Sequence, residues 1–188
     1  MSAAPHRLST IPDILIVPDK RLRTRARPVT DADRPALENL MPTMFEAMYR
    51  APGIGLAAPQ IGLSLRFFIM DLGPDHARTP LILINPTITA ASETLATREE
   101  GCLSLPNQYA EITRPARITA TYEDFAGTKH RIDGEDLLAA CIQHEIDHLD
   151  GILFVDHLTP LKRNILLRKL AKEQREKADE KSTARTHR

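Results

Sequence analysis

The sequence predicts one domain that mixes helices with strands. Apolar residues recur at three- and four-residue spacing over 37–48 and again over 134–149, the signature of helices with one buried face. Runs of strand type occupy 66–72, 81–90 and 117–123. The length of 188 residues, 42% of them hydrophobic, suits a single core. Trp is absent and aromatics make up 4%, so that core must be aliphatic.

Taken in order, residues 1–12 read as an N-terminal extension. The stretch from Met1 to Asp13 has no sustained apolar run of signal-peptide type. Ile14 to Val17 is a short apolar run, followed by a basic stretch from Lys20 to Arg27. Thr30-Asp31-Ala32-Asp33 has helix-start character, and Leu37, Leu40, Met41, Met44, Phe45 and Met48 then form one apolar face. Pro42 interrupts the pattern, which predicts a kink or a later start. The methionines read as core filler. The helix stops at Ala51-Pro52-Gly53. Residues 117–123 alternate Ile118, Ala120 and Tyr122 with polar neighbours, and Ala126-Gly127-Thr128 reads as a hairpin turn. The second helix, flanked by strands and poor in polar outer residues, should be central and buried, with Gly151 ending it. A third, basic helix is expected over 161–178, and 179–188 as a frayed polar tail. The domain is therefore expected to span 13–178.

A net charge of zero gives the whole protein no electrostatic reason to seek nucleic acid. No apolar run is long enough for a membrane span. Nothing marks the chain as secreted, so a cytoplasmic protein is expected. A Cys102–Cys141 disulfide is then the bland reading, and thiol chemistry or metal ligation the favoured one.

His144-Glu145-Ile146-Asp147-His148 reads H-E-x-x-H. On a helix two histidines four apart share a face, so both can reach one metal ion with Glu145 beside it, a metal-hydrolase constellation. Cys102 offers a third ligand. A thiolate with two imidazoles leaves one position open, as in catalytic sites. That position suits a water brought towards ionisation, with Glu145 as general base and later acid. An oxyanion needs donors, for which the side chain of Gln60 and the backbone N–H of Leu103 are candidates. Glu100 and Asp147 read as groups that hold ligands in place, or else as plain ion pairs. Asp147 and Arg114 are candidates for pairing with each other. Two rivals use other ligands. A closed structural site would add Cys141, three residues before His144, but leaves Glu145 without a role. A protease-type site would need a downstream ligand such as His157, whose spacing fits no known pattern. The stretch from Gly53 to Gly62 departs from G-x-G-x-x-G. It reads less as a nucleotide loop than as backbone that something approaches closely.

Three segments in order, Gly-Ile-Gly-Leu-Ala-Ala-Pro-Gln (53–60), Glu-Gly-Cys-Leu-Ser (100–104) and Gln-His-Glu-Ile-Asp-His-Leu-Asp-Gly (143–151), resemble the signature motifs of peptide deformylases. The resemblance covers roughly 13–175. It implies an α+β fold with antiparallel sheets packed around the central helix that carries the H-E-x-x-H motif. It implies removal of the formyl group from N-formylmethionine of new polypeptides by metal-bound water attack. The metal ligands would be Cys102, His144 and His148, with Glu145 as base and acid and Gln60 and Leu103 in the oxyanion roles. It implies one divalent metal ion, ferrous iron (Fe2+), with nickel, cobalt or zinc as replacements. The peptide would lie extended along Gly53, Ile54 and Gly55, and beside Glu100 and Gly101. The methionine side chain would enter an apolar pocket near Ile54, Leu137 and Cys141. The resemblance also supports docking of the basic third helix on the ribosome, against the plain alternative of a solvated helix. Tyr109 stands where many relatives carry an arginine, so no charge is supplied there.

Overall fold

Phe67, Phe68, Ile69 and Met70 set the layering of the molecule. All four are buried, although neighbours in a strand point to opposite faces, so both faces of their sheet must be covered. The computed structural model describes residues 11–73 and 78–180 in full and the helical backbone of 181–186. The expected N-terminal extension lies, up to residue 10, outside the described residues.

The chain runs α1 (Arg34–Arg50), β1 (Gly55–Ala57), β2 (Phe67–Met70), β3 (Leu81–Ala91), β4 (Leu95–Cys102), β5 (Leu105–Pro115), β6 (Arg117–Glu123), β7 (Lys129–Glu135), α2 (Asp136–Leu149) and α3 (Pro160–Thr186). Five strands form an antiparallel sheet in the order β1-β2-β3-β6-β7, while β4 and β5 form a separate two-stranded ribbon. This is the α+β architecture expected, with α2 central.

One face of the sheet, through Phe68, Met70, Leu83, Ile118 and Ala120, packs on Ala139, Ile142, Ile146 and Leu149 of α2. The other, through Leu56, Phe67, Ile69 and Ile84, packs on Leu37, Leu40, Met44 and Met48 of α1. A third cluster joins Leu105 and Ile112 of β5 to Leu153, Phe154 and Val155 and to Leu170 of α3. Each large side chain buried in these layers contributes on the order of 2 kcal/mol.

Two boundaries differ from expectation. The first helix is continuous through Pro42 and begins at Arg34, with Pro35 in its first turn. Six buried apolar residues on one face offset the roughly 3 kcal/mol that an internal proline costs. The third helix does not stop at 178 but runs to Thr186. Its outer face carries Lys169–Glu173 and Lys172–Glu176 pairs at i,i+4, and no Pro or Gly interrupts it. The hairpin turn at 126–128 is present, with Gly127 at φ 80° and Asp124 Oδ1 accepting from Thr128 N–H.

Candidate metal centre and cleft

α2 carries its chemistry on the face next to the one that meets the sheet. His144 and His148 lie one turn apart with ring centroids 5.0 Å apart, and Glu145 stands between them, 4% exposed. The third donor comes from the ribbon. β4 and β5 pair in register from Leu95 with Pro115 to Gly101 with Tyr109. The register then breaks, so that Cys102 pairs with Leu105. A bulge of this kind re-aims the side chain beside it. Cys102 Sγ ends 3.2 Å from His148 Nε2.

One donor atom from each of Cys102, His144 and His148 lies within 4.8 Å of the others. Donors on a tetrahedral ion with bonds near 2.0–2.3 Å sit about 3.6 Å apart. The three residues therefore fit a single divalent ion, and their softness suits iron or zinc. Cys141 is not part of this group. Its thiol is buried and free, and burial pushes it well above its ordinary range, which suits an apolar wall. His157 does not approach the donors; its Nε2 lies 2.7 Å from Asp147 Oδ2.

Charged groups brace the donors from behind. His144 Nδ1 lies 2.9 Å from Glu100 Oε2, which leaves Nε2 as the ligating nitrogen. Arg114 donates from Nε to Glu100 Oε1 at 2.6 Å and from Nη1 to Asp147 Oδ2 at 2.8 Å. The expected Asp147–Arg114 pair is thus formed, with Arg114 on β5 of the ribbon. Burial would raise Glu100. The hydrogen bonds from His144 and Arg114 outweigh it and bring the carboxyl down to about 2. Burial pushes His148 well below its ordinary value, giving the neutral ring a ligand needs. Burial acts the same way on His144, but its contacts with Cys102 and Glu100 prevail and hold it high.

Glu145 has no such brace. Burial dominates and pushes it up to about 7, and its Oε2 is buried with no hydrogen-bond partner in the protein. Gly55 lies against it so closely that a Cβ there would collide with Glu145 Oε1. The close approach expected at the 53–55 glycines is therefore made, at least in part, by the protein's own Glu145 and by Leu103, which packs on Gly53.

A cleft of about 630 Å³ opens over these groups. Its walls include every expected site residue except His148, which lies behind at 1% exposure. Gly53, Ile54 and Gly55 line one side, Glu100, Gly101 and Leu103 another, and Leu137 and Cys141 a third. Ile54, Tyr109 and Leu137 are exposed large apolar side chains on its border, a sign of a surface that takes a partner. Gln60 is fixed at its oxygen by Ala57 N–H at 2.8 Å. Its Nε2 donates to Ser104 Oγ at 3.1 Å and points at Cys102 Sγ, 3.6 Å away. Sequence reasoning missed Ser104, Arg98 and Phe154. Ser104 lies within a quoted motif, but only its contact with Gln60 gives it a role. Phe154 stacks on His144 at 6.3 Å between centroids.

An α+β fold whose central helix offers two imidazoles and a carboxylate to a thiol on a bulged ribbon defines a hydrolase with a candidate metal centre. Residues 11–164 match the family model described as polypeptide deformylase. A peptide deformylase from Zymomonas mobilis is 48% identical over 171 residues, covering 88% of this chain and 96% of that protein. One from Agrobacterium fabrum is 44% identical over 169 residues, covering 89% and 99%. The crystal structure of a peptide deformylase from Legionella pneumophila superposes with a TM-score of 0.83 at 45% identity, covering 90% of this chain and 98% of that one. A structure from Synechococcus elongatus, in complex with actinonin, has a TM-score of 0.79 at 39% identity, covering 90% and 93%. The chain belongs to the polypeptide deformylase family, a family of metalloenzymes.

Proposed function

We propose that the protein hydrolyses the formyl group from N-formylmethionine of newly made polypeptides. One observation carries this reading. A thiol and two imidazoles converge within 4.8 Å beside an unpartnered buried carboxylate, in the wall of a cleft with apolar sides. Cys102, His144 and His148 would hold a divalent ion, Fe2+ by family resemblance, with Ni2+, Co2+ or Zn2+ able to replace it. Such an ion supplies Lewis acidity, bringing a water towards ionisation near neutral pH and polarising a carbonyl.

The chain's own residues do the rest. Glu145 takes the proton of the attacking water and delivers it to the departing amine. Its lack of a hydrogen-bonding partner keeps Oε2 available for that proton. The Gln60 amide and the Leu103 N–H donate to the carbonyl oxygen as it gains charge. The substrate backbone pairs with β1, an edge strand of its sheet, in a β-augmentation mode. Ile54, Leu137 and Cys141 receive the methionine side chain. The small site around Gly55 and Glu145 favours formyl over larger acyl groups by volume. Actinonin, which the Synechococcus elongatus relative binds, is expected to occupy the same cleft.

A cytoplasmic location is proposed, since the proposed substrate arises on the ribosome. No helix among the described residues is long and apolar enough to cross a membrane. The basic outer face of α3, with Lys162, Arg168, Lys169 and Lys172, is proposed to dock on the ribosome. Reversing those four charges is expected to abolish co-sedimentation with ribosomes; unchanged co-sedimentation refutes the docking. The central test is formate release from formyl-Met peptides by protein purified without oxygen, with its metal measured in the same sample. Metal at one per chain with no formate released would overturn the proposal.

A further inference from the structure

Arg98 places a long basic side chain in the wall of the cleft. It lies on β4, two residues before Glu100, and lines the cleft together with Leu137 and Ala140 of α2. Its head is tied down, with Nη2 donating to Asp136 Oδ1 at 2.6 Å. Its Nε is buried and bonded to no protein group. Asp136, the first residue of α2, has a φ of 50°, a left-handed conformation that few side chains adopt and that aspartate tolerates.

Behind Arg98 lies a second, smaller crevice, with room for about 10 Å³, walled by Ile112 and Pro115 of β5. Arg98, Glu100 and Ala140 border both spaces. Glu100 is fixed by Arg114 and His144, and Ala140 is too short to act as a partition. The side chain that separates cleft from crevice is therefore Arg98. An arginine can line such a wall with its methylene stem while its charged end, here bonded to Asp136, stays in contact with water.

We infer that Arg98, held by Asp136, determines how long a first side chain the cleft accepts, and that it does so as a wall. This rests on the deformylase reading and extends it to the selection among formyl-peptides by side-chain size. Arg98 is a specificity-determining residue, and Asp136 a positioning residue acting through it.

The test compares formate release from formyl-Met-Ala-Ser and formyl-Phe-Ala-Ser by metal-loaded protein. In Arg98→Ala the wall is gone, and the ratio of kcat/KM for the phenylalanine peptide to that for the methionine peptide is expected to rise by about tenfold or more. Arg98→Met keeps the stem without the charge and is expected to hold the ratio near its original value. Asp136→Asn removes the charge that holds the head while keeping the backbone conformation, and is expected to give an intermediate ratio. Equilibrium binding of the product peptides Met-Ala-Ser and Phe-Ala-Ser, by calorimetry, should move in the same direction. Should Arg98→Ala fail to fold, Asp136→Asn, at an 81% exposed side chain and with a residue type that tolerates the same backbone, carries the test. An unmoved ratio in Arg98→Ala, or in Asp136→Asn where Arg98→Ala does not fold, with the original protein active on the methionine peptide, overturns the inference alone. No formate from either peptide with the original protein overturns the function itself.

Discussion

Arg114 donates to Asp147 Oδ2 at 2.8 Å while the same guanidinium holds Glu100 at 2.6 and 3.1 Å. One cation, 8% exposed, thereby joins the ribbon to the helix that carries both histidines. It also neutralises one buried and one part-buried carboxylate, the buried Glu100 being in contact with His144 Nδ1.

Removing one partner from such a buried cluster leaves charge without compensation. Arg114→Met is therefore expected to lower the unfolding free energy by about 3–5 kcal/mol. Urea denaturation followed by circular dichroism measures this. A loss below about 1 kcal/mol, the range of a surface pair, would contradict the assigned burial.

The same cluster sets an acid limit. Glu100 lies at about 2 in the fold, against an ordinary value of 4.5. A carboxyl lowered on folding contributes stability that is fully present above 4.5 and is lost as pH falls towards 2. Stability measured between pH 6 and 2.5 should fall within that window, and in Arg114→Met the fall should be shallower.

Ion uptake should release protons. His144 is held high by Cys102 and Glu100, and a ligating thiolate and imidazole must both be unprotonated. Calorimetric titration of the metal-free protein with Zn2+ near pH 7, in buffers of different ionisation enthalpy, should report proton release. Cys102→Ser should bind far more weakly, because an alcohol is a poorer ligand than a thiolate.

Gly55→Ala places a methyl against Glu145 Oε1. Displacing that carboxylate by about 1 Å is expected to reduce kcat/KM roughly 100-fold. Metal content should be unchanged, since none of the three donors moves. Glu145→Ala should likewise keep its metal and lose nearly all hydrolysis. Formate release scored beside metal analysis checks both variants.

Gly151 tests the fold rather than the site. It has a φ of 75°, and an added Cβ would lie 2.7 Å from the Arg23 carbonyl oxygen. Gly151→Ala should therefore cost roughly 2 kcal/mol or more. A variant as stable as the original would show that the turn after α2 relaxes freely.

The helices were legible because their period is local. The face of Leu37, Leu40, Met44 and Met48 is written in twelve consecutive residues, and all four are buried. Strands β2, β3 and β6 were legible from their apolar runs. β4 was not, because Ala96-Thr97-Arg98-Glu99-Glu100 is polar or small on both faces and gives no alternation.

The donor types, their helical spacing and the carboxylate between the histidines were determined by the sequence alone, since a turn of helix brings residues four apart to one side whatever surrounds them. The meeting of Cys102 with His148, 46 residues away, needed the bulged ribbon to pack over α2. The bracing of His144 by Glu100 and Arg114, and the placing of Arg98 between two cavities, also belonged to tertiary structure. Such contacts depend on which faces of separate elements are pressed together, and short-range pattern carries no record of that.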